Sequence, residues 1–314
     1  MTPESHAPAA VRSSCLLVDL DGRTVASLSG PDARRFANGM FTNNVRDLPV
    51  GGAQRSAMVD DRGRMVGLME LYCVGPDRFL AVLEGVDWTS FHERYERYVV
   101  FDDVELEDVS GQWCLSTLQG RTAAQALTSV GIDLPSEGRF HDHRRGLVMP
   151  RDRSGLGGYD LLIRSEHAAE LREALAAMSS PRPEGALEVL RVSATKARWP
   201  VDMPERCLVH EAGLRDEVLH FEKGCYIGQE TINRVDVMGK VKRRLVGLVI
   251  HGDTLPEHGA EVRHGDKVVG ALTSPVRAGS GEVRALAVLR QPAHQPGTEV
   301  VLSDGLTAAV AAVE

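Results

Sequence analysis

The sequence predicts an α+β fold that closes with a small all-β unit, on three observations. Before residue 240, strand-like runs alternate with helical patterns but are joined by hairpin turns, which argues against a doubly wound parallel sheet. After it, helical periodicity stops, and short β-type runs separated by Gly, Pro and Asp follow one another, as in a small barrel or sandwich. With 314 residues, 43% hydrophobic and 25% charged, the chain can build two or three compact units with sizeable cores.

The elements follow in order. An apolar strand over 16–19 and a partner over 24–28 flank the Asp21-Gly22 turn. Ser29-Gly30-Pro31-Asp32 then opens a helix whose Ala33, Phe36, Ala37 and Met40 share one face. Strands are expected over 57–60, 65–74 and 78–83, separated by Asp61-Arg62-Gly63-Arg64 and Gly75-Pro76-Asp77. Trp88, Phe91, Tyr95 and Tyr98 mark a helix over 88–98. A second series places strands over 113–118, 147–150 and 159–163, and helices over 121–130 and 166–178. Residues 179–183 read as a linker before a helix over 184–195. Six β-type runs complete the chain, over 244–251, 261–263, 267–273, 282–289, 299–302 and 306–313, with His264-Gly265-Asp266 and Ser303-Asp304-Gly305 as tight turns. The expected division is a disordered 1–14, an α+β region of two interleaved lobes over 15–239, and a β-barrel over 240–314.

Composition excludes several function classes. Thirty-six basic against 44 acidic side chains give a net charge of −8, which argues against a broad nucleic-acid surface. The first 14 residues lack the basic start and apolar stretch of a secretory signal, and no window approaches a membrane span, so the expected location is cytoplasmic. Cys15, Cys73, Cys114, Cys207 and Cys225 are scattered without metal-ligand spacing, so free thiols and no metal are expected. His141-Asp142-His143, with Arg144 and Arg145, reads as a polar loop.

One segment, Phe221-Glu222-Lys223-Gly224-Cys225-Tyr226-Ile227-Gly228-Gln229-Glu230, carries a chemical signal. Gly224 permits a tight turn from which a helix can start at once. A thiol at a helix N-terminus, with Lys223 nearby, is biased toward thiolate. Cys225 is therefore a candidate nucleophile or metal ligand, and a buried structural Cys is the plain alternative.

The string Lys223-Gly224-Cys225-Tyr226-Ile227-Gly228-Gln229-Glu230 resembles the K-G-C-[YF]-x-G-Q-E signature of the YgfZ family, relatives of the glycine-cleavage T-protein. The likeness extends to Ser29-Gly30-Pro31-Asp32-Ala33, Thr42-Asn43-Asn44-Val45, Asp60-Asp61-Arg62-Gly63-Arg64, Glu211-Ala212-Gly213-Leu214 and Arg243-Arg244-Leu245-Val246-Gly247-Leu248. It implies a three-lobed ring around a central channel that binds tetrahydrofolate. It also implies an accessory role with iron–sulfur proteins or their assembly factors, including cluster-dependent tRNA-modifying enzymes, without direct contact to nucleic acid or membrane.

The resemblance assigns roles residue by residue. Cys225 stands at the channel mouth as the functional thiol, with Lys223 beside it. Glu211 accepts hydrogen bonds from the pterin ring of the folate. Arg243 meets its anionic glutamyl end, with Arg244 as the fallback if the register slips by one. Arg62 and Arg64, which flank Gly63 at a turn, read as a solvated hairpin, with contact to the folate as the alternative. Two departures from the T-protein pattern point away from aminomethyl transfer: Cys225 replaces an Asp, and Ser90 falls where T-proteins place an Asp, with Asp87 close by. Folate-dependent aminomethyl transfer is the second reading.

Overall fold

The computed structural model describes residues 15–312 apart from 21, 182–183, 240 and 279–280, so the expected disordered start lies outside the described residues. In chain order the elements are β1 (Cys15–Asp19), β2 (Thr24–Ser29), α1 (Ala33–Met40), β3 (Ala53–Val59), β4 (Met65–Gly75), β5 (Arg78–Glu84), α2 (Trp88–Glu96), β6 (Glu105–Asp108), β7 (Trp113–Gln119) and α3 (Ala123–Ser129). Then come β8 (His141–His143), β9 (Gly146–Pro150), β10 (Gly158–Arg164), α4 (Ala168–Ala176), β11 (Ser179–Pro181), α5 (Glu184–Ser193), α6 (Arg215–Val218) and α7 (Gln229–Met238). The chain closes with β12 (Arg243–Ile250), β13 (Glu261–His264), β14 (Lys267–Arg277), β15 (Val283–Arg290), β16 (Glu299–Leu302) and β17 (Thr307–Val310).

Two sheets and one closed barrel make three lobes. A five-stranded sheet runs β3-β4-β5-β2-β6, a six-stranded sheet runs β11-β1-β7-β10-β9-β8, and β12 to β17 close into a barrel. Strands adjacent in sequence are divided between the sheets: β1 enters one and β2 the other, which interleaves the two lobes.

The cores show why the strand sequences read as continuous apolar runs rather than as alternations. In β5, Phe79, Ala81 and Leu83 pack under α1 and α2 with Phe36, Phe91 and Tyr95. Its other face, Leu80 and Val82, packs with Leu16, Val18, Leu115, Leu147 and Leu162 of the six-stranded sheet. That second sheet buries its far face, Leu17, Leu118, Leu161 and Ile163, against α3 and α4. Helices, sheet, sheet and helices thus stack in four layers, and both faces of each sheet are covered. Burying each Leu, Val or Phe contributes about 1.5–3 kcal/mol.

The segment between α5 and the barrel forms its own core. Met203, Cys207, Val209, Leu214, Val218, Tyr226 and Ile232 pack on Ala57, Val59, Met65 and Leu68 of the β3–β4 hairpin. It straps the five-stranded sheet to the start of the barrel, whose interior is filled by Val246, Leu248, Val262, Leu272, Leu289 and Val300.

Three sequence readings are corrected here. Residues 179–181, expected as linker, form β11 and pair in parallel with β1 through Cys15–Ser179 and Leu16–Ser180. His141–His143, expected as loop, is the edge strand β8 beside β9. The helix expected directly after Gly224 starts at Gln229, with Gly228 as its N-cap at φ 77.

Candidate functional site: a cationic cavity at the junction of the three lobes

A cavity of about 520 Å³ lies where the sheets, the strap segment and the barrel meet. It is lined by nine Arg or Lys (Arg23, Arg55, Arg151, Arg153, Arg191, Lys196, Arg198, Arg215, Arg244) against five Asp or Glu (Glu84, Asp152, Glu188, Glu211, Glu217). Several of these bases are paired with acids that stand just behind the lining, Arg153 with Asp160, Arg191 with Asp202 and Arg215 with Asp236, whereas Arg23 and Arg244 have no ion-pair partner among the described residues.

The floor is a buried network at the adjoining ends of the sheets. Arg55 donates from Nη1 to Glu217 Oε2 at 2.8 Å and from Nη2 to Glu84 Oε2 at 3.3 Å. Glu70 Oε1 sits 3.4 Å from Arg55 Nε and 3.0 Å from Arg151 Nε, but the N–H directions miss it, so the attraction there is ionic only. Burial opposes the charge on Arg55, and Glu70, Glu84 and Glu217 together outweigh it and raise its pKa. Burial likewise opposes ionisation of Glu84, yet Arg55 and Arg153 hold its pKa down at about 2. Arg153 is fixed by a bidentate pair with fully buried Asp160, at 2.9 and 2.7 Å. Such a network adds little net stability, because desolvation offsets attraction, but it presents oriented charge without rearrangement.

The wall on the barrel side is held by Arg191 of α5. It clamps Glu188 through two bonds, at 2.9 and 2.7 Å, and Asp202 at 2.6 Å. Asp202 in turn accepts from Thr273 and Ser274 of β14. Lys196 pairs with Asp152 at 3.2 Å, and His210 and His294 complete the lining. Burial lowers the pKa of His210 despite Asp236 at 3.4 Å, so its imidazole is neutral near pH 7.

The residues singled out in the sequence fall in two places. Glu211 and Arg243 meet each other: Arg243 Nε donates to Oε1 and Nη2 to Oε2, both at 2.8 Å, and Leu208 N–H adds a third bond at 3.0 Å. Both carboxylate oxygens of Glu211 are therefore occupied, and the Arg243 guanidinium is spent on an internal partner rather than facing the cavity as an anion site. Arg244 does line the cavity, and among the described residues it has no ion-pair partner.

Cys225 and Lys223 lie elsewhere. No residue from 221 to 230 lines the central cavity, so the expectation of a thiol at its mouth is not met. The thiol of Cys225 is exposed on a loop. Lys223 is buried and donates to the carbonyls of Phe41 and Asn43, with the Tyr226 ring 4.8 Å from its Nζ. Burial brings its pKa down to about 7, so it is a weakened cation turned away from solvent.

That loop is where three of the sequence motifs converge. Lys223 clips it to 41–43, and Ile227 N–H donates to Gly39. Gly228 packs on the hairpin turn: a Cβ there would stand 2.4 Å from Asp60 O and 2.9 Å from Gly63 Cα. Gly63 has a positive φ of 71 in the same turn. Arg62 is exposed on it, as expected, while Arg64 is half-buried. Ile227 lines a second cavity with Asp60, Asp61, Arg94, Tyr95, Arg97 and Tyr98. Ser90 and Asp87 take no part in the central cavity; Asp87 caps α2 by accepting from Ser90 N–H at 2.8 Å.

The cavity side chains missed from sequence are those of the floor, Arg55, Glu84, Arg151, Arg153 and Glu217, and of the barrel-side wall, Glu188 and Arg191. A usable signal was present in Glu84, an acid closing the apolar run of β5, and in Arg55 within β3, since charges on sheet strands with covered faces need partners.

Fold and cavity together define a three-lobed ring protein with an arginine-lined cavity at its centre. Residues 5–223 match the model of the GCVT N-terminal domain, and the chain belongs to that family. It is 28% identical over 305 residues to an aminomethyltransferase of Rubrobacter xylanophilus, covering 94% of this chain and 81% of that protein. To the aminomethyltransferase of Thermotoga maritima it is 27% identical over 277 residues, covering 84% and 75%. The crystal structure of the glycine cleavage system aminomethyltransferase T from Bartonella henselae superposes with a TM-score of 0.86 over 99% of this chain and 88% of that one, at 18% identity. The fold is thus that of the T-protein, as the sequence resemblance implied. No helix among the described residues is long and apolar enough to cross a membrane.

Proposed function

We propose that this protein binds a reduced folate in the central cavity and works as a folate-dependent protein of the T-protein type. The observation that carries the reading is the pair of guanidinium groups, Arg23 and Arg244, that line the cavity with no ion-pair partner among the described residues. A tetrahydrofolate has a flat polar ring at one end and carboxylates at the other, and about 520 Å³ lies within the range of small-ligand pockets. Every lining carboxylate has a basic partner: Glu84 and Glu217 on Arg55, Asp152 on Lys196, Glu188 on Arg191, Glu211 on Arg243. Arg23 and Arg244, without ion-pair partners among the described residues, are left to meet an anion. Calorimetry with tetrahydrofolate tests this directly. Binding at micromolar affinity or better is expected, and no heat at millimolar ligand would refute it.

Two finer readings follow. The relatives support aminomethyl transfer onto the folate, the activity that the sequence reading ranked second. The accessory role in iron–sulfur metabolism, with YgfZ membership, rests on the 223–230 string and on one observation, the exposure of the Cys225 thiol. A reconstituted glycine-cleavage assay separates them. Turnover within tenfold of a T-protein supports the first. Failure there, with loss of iron–sulfur enzyme activity in cells carrying Cys225→Ser at equal abundance, supports the second.

A further inference from the structure

Glu217 has a feature shared by none of the other acids in the cavity wall. Of the five lining carboxylates, four have both oxygens engaged. Glu84 accepts from Trp199 N–H at Oε1 and from Arg55 at Oε2. Asp152 is held by the Ser154 and Gly155 N–H groups at Oδ1 and by Lys196 at Oδ2. Glu188 is filled by Arg191 at both oxygens, and Glu211 by Arg243. Glu217 receives Arg55 Nη1 and Arg151 Nη1, but both bonds end on Oε2. Its Oε1 has no partner among the described residues, and the side chain is 45% exposed.

The two arginines do more than occupy one oxygen. They anchor the carboxylate from one side, and although burial opposes the charge, Arg55 and Arg151 hold the pKa of Glu217 below the ordinary glutamate range. The result is an ionised, oriented carboxylate, the one lining acid with an oxygen left open among the described residues. An anion alone gains nothing from such a group and is repelled by it. A ligand that also carries N–H donors on a flat ring is selected by it, because a hydrogen bond to a charged acceptor is among the stronger ones.

We infer that Glu217, and not Glu211, is the specificity-determining carboxylate of this cavity, accepting a ring N–H or amino group of the ligand through Oε1. This rests on the folate reading above and identifies how the ring end would be told apart from the tail. The cavity then has two chemically distinct poles: Glu217 for a donor-bearing heterocycle, and Arg23 and Arg244 for the carboxylates.

The test compares two probes on wild type and Glu217→Gln: tetrahydrofolate, and p-aminobenzoylglutamate, which keeps the anionic tail and lacks the pterin. Gln preserves shape and removes the charge, and thermal melting of both proteins establishes that the variant is folded. The expected result is a loss of about tenfold or more for tetrahydrofolate, with p-aminobenzoylglutamate unchanged or bound more tightly. Glu217→Asp, which retracts the carboxylate by one methylene, serves as the second variant and should fall between wild type and Gln in tetrahydrofolate affinity. If wild type binds tetrahydrofolate and Glu217→Gln binds it equally well, or loses both probes in parallel, the inference is overturned while the folate reading stands. If wild type binds neither probe, the folate reading itself fails.

Discussion

Removing Asp202 tests how the barrel is fastened to the rest of the ring. Asp202 is fully buried and takes four donors: Arg191 Nη1 at 2.6 Å, Arg198 N–H at 2.8 Å, Thr273 Oγ1 at 2.8 Å and Ser274 Oγ at 2.7 Å. Two of them lie on β14 and one on α5, so the carboxylate joins barrel and helix at one point. Ser274 is held there at φ 45, a left-handed backbone that a serine adopts only when its surroundings fix it. Breaking a buried ion pair from one side costs about 3–5 kcal/mol. Asp202→Ala should fall near the lower figure, because Arg191 keeps Glu188 and Lys196 O, and Thr273 keeps Leu286 O. A loss of about 3 kcal/mol moves a urea midpoint by roughly 1 M or more. The barrel lacks Trp and Tyr, so tryptophan fluorescence would miss its release. Circular dichroism and amide exchange in β14 are the suitable readouts. An unchanged midpoint together with unchanged β14 protection would refute the clamp.

Three further outcomes are expected. The pKa of Lys223 falls from 10.5 to about 7 on folding, so between those values the unfolded chain binds more protons and stability rises with pH; a neutral amine keeps two N–H groups, so both carbonyl contacts survive. Lys223→Met should remove that rise, and urea midpoints that change equally with pH in both proteins would contradict it. Gly228→Ala should destabilise by more than the ~1–2 kcal/mol that a Cβ costs in a left-handed backbone, since the new Cβ also meets backbone at 2.4 Å; a melting temperature equal to wild type would show that the turn yields. Alkylation near neutral pH should label Cys225 first, because Cys15, Cys73 and Cys207 are buried and burial raises the thiol pKa of Cys15, and of Cys207 to about 12. Mass spectrometry showing Cys207 labelled as fast would overturn this.

Much of the fold was legible because its strands are covered on both faces. Runs such as Phe79-Leu80-Ala81-Val82-Leu83 are long, apolar and bounded by turn residues, and the barrel strands are spaced by Gly and Asp. The elements that escaped are those whose identity is decided by a distant neighbour. β11 is a strand only because β1 offers it an edge, and β8 because β9 does. The loop after Gly224 stays out of the helix because Lys223 and Ile227 find carbonyls on 39–43, whereas local preference favours an immediate helix. The site was less legible for the same reason. Arg55, Glu84, Arg151 and Glu217 come from four separate segments, and none has a sequence neighbour that reveals its partner; Arg191 has Glu188 three residues away, but its second partner, Asp202, lies beyond the helix.

The motifs and the cavity therefore do different work. The strings at 41–45, 60–64 and 223–230 meet one another rather than the cavity, and their contacts are steric and local: glycine against glycine, a buried lysine against two carbonyls. They set how the strap segment lies on the five-stranded sheet. That placement carries Leu214 and Val218 into the strap core, and with them Glu217, one residue before Val218, onto Arg55. A motif in this chain thus acts on the cavity at one remove, by fixing the path of the backbone that delivers the charged residues. The separation also explains how Cys225 can be exposed while belonging to the most distinctive string in the sequence: Lys223, Tyr226 and Gly228 pack inward to build the junction, and Cys225 between them is turned out to solvent.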